Sequence, residues 1–112
     1  MILHITERKD WTRAQEQGVY TAEALSSEGF IHCSEPQQVI EVANFLFRGR
    51  SGLVLLCIDS SRVTAEIRYE NLEGGKQLYP HIYGPLNIDA VMNVLSFEPG
   101  EHGCFVLPPE LS

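Results

Sequence analysis

The clearest pattern in the chain is an unbroken apolar run, Leu53-Val54-Leu55-Leu56-Cys57-Ile58, bounded by Gly52 and Asp59. Branched side chains over that length predict a central strand covered on both faces. Just before it, Val39, Val42, Ala43, Leu46 and Phe47 recur at the i, i+3, i+4, i+7, i+8 spacing of one helix face. Ser34 is placed to cap that helix, Gln37 three residues on completes a capping box, and Pro36 falls in the first turn. Gly49 and Gly52 end it.

Upstream, residues 2–6 alternate weakly and predict a first strand. Asp10 is a candidate cap for a helix over 11–17 that stops at Gly18. Glu23-Ala24-Leu25 predicts a second helical turn ending before Gly29, and Gly29–Ser34 a short strand. In the second half, Glu66–Glu70 alternates, with Ile67 and Tyr69 on one side and Glu66, Arg68 and Glu70 on the other. Residues 71–77 read as a polar loop and Pro80–Pro85 as a proline-framed extended piece. Asn87 or Asp89 starts a single helical turn, and Val91–Phe97 and Cys104–Leu107 are two last strands. Helices gather early and strands late, so the class is α+β rather than alternating βαβ.

The 112 residues suit one domain, residues 1–112, and 44% apolar content supports one core. A net charge of −7 lacks the basic footprint of a general nucleic-acid or anionic-membrane binder. Cys33, Cys57 and Cys104, odd in number and widely spaced, form neither a disulfide framework nor a zinc ribbon. The N-terminal Met1-Ile2-Leu3-His4 lacks the pattern of a signal peptide, and no apolar stretch approaches the roughly 20 residues of a membrane span. A cytoplasmic protein is the expectation; its oligomeric state has no signature here.

Candidate chemistry lies in three places. Alternation turns Phe30, His32 and Ser34 one way and Ile31 and Cys33 into the core. His32 then either bonds neighbouring backbone or lines a cleft. His81 and Tyr83 share a face of a stiffened strand, where they either fill a core edge or contact a ligand. Arg68 and Glu70 share another face, as a solvated pair or as a cleft carboxylate for sugar hydroxyls or developing positive charge. Phosphate-loop, dinucleotide-fingerprint, zincin and serine-hydrolase motifs are absent. A zinc site from His32, His81 and Glu70 is possible in composition, but none of their spacings is diagnostic. His4 and His102 have no partner legible in the sequence.

Four segments in order, EGFIHCSEPQQV (28–39), LVLLCID (53–59), IRYE (67–70) and YPHIYGPLNIDAV (79–91), resemble the bacterial domain-of-unknown-function 952 family across nearly the whole chain. That family is considered similar in fold to the ADP-ribosyltransferase superfamily. The resemblance implies split, bent β-sheets around a cleft for NAD or a related nucleotide. It implies that His32 holds ribose hydroxyls with Ser34 assisting, and that His81 and Tyr83 contribute to the cleft. Tyr83 would stack on the nicotinamide, with Tyr20 or Trp11 as alternatives, and Glu70 would stabilise an oxocarbenium-like transition state. The expected partner is a small nucleotide-like molecule, with ADP-ribosyl transfer as the possible chemistry. The acidic surface argues against an RNA substrate. Two other classes remain: a non-catalytic metabolite- or peptide-binding module, and a small hydrolase or metal enzyme built on His32 and His81.

Overall fold

The computed structural model describes every residue except Glu73, in the loop expected over 71–77, and Ser112. Its centre is the apolar run, strand β4 (Leu53–Ile58), buried throughout. It lies between β1 (Ile2–Glu7) and β8 (Val91–Phe97), antiparallel to both. Strand alternation splits β4 between two cores. Val54, Leu56 and Ile58 face Trp11, Tyr20, Ile31, Cys33, Ile82 and Leu86. Leu53, Leu55 and Cys57 face Leu3, Val39, Ala43, Leu95, Phe97 and Phe105.

Against the first core packs a second antiparallel sheet, in the order β3 (Ile31–His32), β6 (Tyr79–Tyr83), β5 (Glu66–Glu70). Helix α1 (Arg8–Gln17) and the short α2 (Glu23–Glu28) cover its approach. Gly29, in the left-handed region with φ 89°, ends α2 and turns the chain into β3. Helix α3 (Val39–Leu46) lies on the second core. A small ribbon pairs β2 (Val19–Tyr20) with β7 (Leu86–Asn87), a contact that two-residue segments do not advertise in sequence. The architecture is α+β, with separate antiparallel sheets and a few short helices, as the order of elements predicts.

Three local expectations are corrected. The first helix starts at Arg8, not after Asp10, because the Arg8 N–H is taken by Gly52 O at 2.9 Å, so β1 runs directly into α1. Ser34 is not the cap of α3. Its N–H and C=O both pair with Leu3, at 2.8 and 2.7 Å, which holds it extended and four residues short of the helix. Gln38 does the local work instead: its side-chain oxygen accepts the Glu35 N–H at 2.9 Å. Cys104–Leu107 is no strand, since the Phe105 N–H goes to the Asn44 side chain at 2.7 Å while the ring stacks on Phe97. Among the described residues no helix is long and apolar enough to cross a membrane.

Because β4 feeds both cores, truncating it should hurt more than truncating any surface strand. Leu56→Ala is expected to lower unfolding stability by about 2–5 kcal/mol, read as a reduced urea midpoint with an unchanged slope.

Candidate functional site

The site follows from how the two sheets meet. Among the described residues their backbones are joined by one bridge, Leu3 to Ser34. Continued antiparallel pairing would set Ile5 opposite His32, but the strands part there. Residues of an antiparallel strand send N–H and C=O to the same side, alternating along the chain. Leu3 sends both outward to Ser34, so Ile5 sends both outward as well, along the free edge of β1. On the other rim, the Cys33 N–H bonds Pro80 O at 3.0 Å. Ile31 and Cys33 therefore address β6, and His32 addresses the split. Among the described residues, neither Ile5 group nor the His32 N–H has a backbone partner across the split.

The His32 C=O does have one. His4 Nδ1–H donates to it at 2.5 Å, and His4 Nε2 lies 2.7 Å from the Tyr20 hydroxyl, itself 2.9 Å from Thr6 Oγ1. The consistent proton order is Thr6 to Tyr20 to His4, then His4 to the His32 carbonyl. This requires a neutral imidazole. Burial lowers the His4 pKa to about 4 and pushes the Tyr20 hydroxyl up to about 12.

Beside the bridge opens a cavity of about 590 Å³. Its floor and rim include Ile5, His32, Ser34, Tyr79 and His81, and α3 walls it with Val42, Phe45, Leu46 and Phe47. The lining is largely apolar. Phe45 and Leu46 are exposed at its mouth. The Ser34 hydroxyl, released from the cap, has no hydrogen-bond partner among the described residues. A second cavity of about 590 Å³ adjoins along β1, sharing His4, Ile5 and Phe47. It is polar, with Thr6, Tyr20, Thr21, Arg13 and Arg50 on its walls. Both arginines are held by carboxylates, Arg13 by Asp10 at 3.6 Å and Arg50 by Glu7 at 3.4 Å.

Of the residues singled out in the sequence, His32, Ser34 and His81 line the apolar cavity. His32 Nε2 contacts Glu28 Oε2 at 3.2 Å on its exposed side. Glu70 and Tyr83 are not among the lining residues and sit behind His81. One oxygen of Glu70, Oε1, accepts from His81 Nδ1 at 2.9 Å and from the Tyr83 hydroxyl at 2.5 Å. These two bonds, Tyr83 foremost, hold the Glu70 carboxyl below its ordinary range, and the same contact raises the Tyr83 hydroxyl. Phe30 stacks on His81 with ring centres 4.3 Å apart, and Arg68 lies over the Tyr83 ring while pairing with Glu66. Trp11 is core and the Tyr20 hydroxyl is committed to the His4 chain. Cys33 is buried with its thiol pKa pushed up, so it is no nucleophile. Among the described residues no group of three or more His, Cys, Asp or Glu side chains is gathered as for a metal. Sequence reasoning missed His4, Ile5 and the aromatic wall of α3. His4 left one trace, a histidine within an otherwise apolar strand.

With that geometry in hand, comparison with known proteins places the chain. The family model "Protein of unknown function (DUF952)" matches residues 5–94. The chain belongs to the DUF952 family. The crystal structure of protein CC0527 from Caulobacter crescentus superposes with a TM-score of 0.88 at 31% identity, covering 98% of this chain and 96% of that one. The solution structure of the same protein gives 0.80 at 31% identity over 92% and 89%. Among curated proteins there is no match.

The His4 chain makes a pH prediction. A buried histidine whose pKa drops from 6.5 to about 4 resists protonation when folded, while the unfolded chain accepts the proton freely. Its contribution to stability is complete above pH 6.5 and is lost as pH falls from 6.5 toward 4, by on the order of 3 kcal/mol. His4→Gln, which can still donate to the His32 carbonyl and accept from Tyr20, should flatten that part of the profile in urea titrations.

Proposed function

We propose that this DUF952 member binds NAD or a related nucleotide in the split between its sheets. The observation that carries this reading is the open backbone edge inside a largely apolar cavity, both groups of Ile5 on one rim and the His32 N–H on the other, without backbone partners among the described residues. A planar ring bearing a carboxamide needs a donor and an acceptor side by side at its edge and apolar surface over its faces. Ile5 offers both groups, and Phe45, Phe47 and Val42 offer the surface. His32, His81 and Ser34 are polar partners for ribose hydroxyls. Past Ile5, the adjoining polar cavity has Arg13 and Arg50 near a dinucleotide's phosphates.

The motifs resemble the DUF952 family, and the fold likeness to the ADP-ribosyltransferase superfamily considered for that family implies the same ligand, with glycosyl transfer as the chemistry that follows. A second reading, a binding module without turnover, is favoured by one observation: the Glu70 carboxylate lies behind His81 rather than on the cavity wall.

Thermal-shift titration separates ligand from no ligand, since saturation at 100 times Kd adds about 2.7 kcal/mol. NAD and nicotinamide are expected to raise the melting temperature. Nicotinate should do so less, because its carboxylate has no donor for the Ile5 carbonyl. Ile5→Pro removes the outward N–H of an edge strand, along with part of a side chain packed on the second core, and should weaken NAD by roughly three- to tenfold, the worth of one hydrogen bond. Ile5→Val should bind as the natural chain does. Absence of any shift with NAD, ADP-ribose and nicotinamide would remove the nucleotide reading.

A further inference from the structure

We infer that His81 is a general base acting on water in this cavity, oriented by Glu70, and that the protein hydrolyses the N-glycosidic bond of its nucleotide. The inference rests on the nucleotide reading above. Its own ground is the geometry of three side chains. The His81 side chain is 4% exposed yet lines the apolar cavity. Glu70 Oε1 takes its Nδ1 at 2.9 Å. No described group takes Nε2. A carboxylate on Nδ1 fixes the neutral tautomer with its proton there and leaves the Nε2 lone pair for the cavity. The Tyr83 hydroxyl on the same Glu70 oxygen locks the carboxylate, and Phe30 stacked on the imidazole fixes the ring plane. A surface ion pair needs none of this support.

The step balances with water as sole co-reactant. The water oxygen bonds to the anomeric carbon of the nicotinamide ribose, and its proton passes to His81 Nε2. The carbon–nitrogen bond breaks with its electron pair going to the pyridinium nitrogen, which becomes neutral. The leaving group thus needs no acid, so a single base suffices. Glu70 stabilises the imidazolium as a positioning residue, and the proton leaves to solvent. The products are ADP-ribose and nicotinamide.

Nicotinamide release from NAD, followed by chromatography alongside calorimetric binding, tests this. The natural chain should release nicotinamide. His81→Gln should lose about 10²–10⁴-fold in kcat, far more than any loss of NAD affinity that its place on the cavity wall brings. Glu70→Gln can still accept from Nδ1 but carries no charge to stabilise the imidazolium, so it should lower kcat while leaving KM unchanged, a split that a purely structural role would not produce. NAD binding with no nicotinamide release, or release unaffected in His81→Gln, overturns the base assignment and leaves the binding site standing. No binding at all overturns both.

Discussion

The whole site depends on a hydrogen-bond ladder that stops after one bridge. Leu3 and Ser34 join the two sheets, and the next pairing, Ile5 with His32, is never made. A buried carbonyl left open at such a point would cost about 1–3 kcal/mol. The His4 imidazole meets that need at His32, and Tyr20 and Thr6 meet the need of the imidazole. A side chain thus stands where backbone pairing would have closed the gap. The sheets stay apart, and Ile5 keeps a bare edge facing a cavity. The arrangement works only with an uncharged His4, which burial secures across the neutral range.

How much of this is legible in the sequence divides along local and non-local lines. Strand β4 and the glycine ends of α1 and α2 follow from short-range pattern and form as read, whereas the apolar face read for α3 is buried at Val39 and Ala43 while Leu46 is exposed and Phe47 lies past the helix end. The alternation of Phe30–Ser34 also follows from short-range pattern, and it sends Ile31 and Cys33 to the core. Ser34 shows where local reading fails. Its spacing to Gln37 suits a cap, but a strand 31 residues upstream claims its backbone first. Phe105 fails for the same reason, because Asn44 on a distant helix supplies the partner that a strand neighbour would have supplied. The open edge at Ile5 is harder still to read, since its hydrogen-bonding groups belong to the backbone and any residue type but proline carries them.

The histidines sort by what holds their second nitrogen. His4 has both nitrogens occupied and is structural. His32 has one on an exposed carboxylate, Glu28, at the rim. His81 has one on a locked, part-buried carboxylate and one without a partner among the described residues, and it lines the largely apolar cavity. The sequence ranks them differently, because His32 stands in the more conspicuous motif while the Glu70 partner of His81 is brought in by β5–β6 pairing. Net charge belongs to the same picture: the chain is acidic overall, yet Arg13 and Arg50 converge on the polar cavity beside Ile5.

The most direct measurement is an amide-resolved titration of the protein with NAD by heteronuclear NMR. If the bare edge receives the ligand, the Ile5 and His32 amide resonances move together and saturably, with Phe47 and Ser34 following, while amides on the far face of β8 stay still. Saturable binding that leaves Ile5 and His32 unmoved and shifts residues elsewhere would contradict the account.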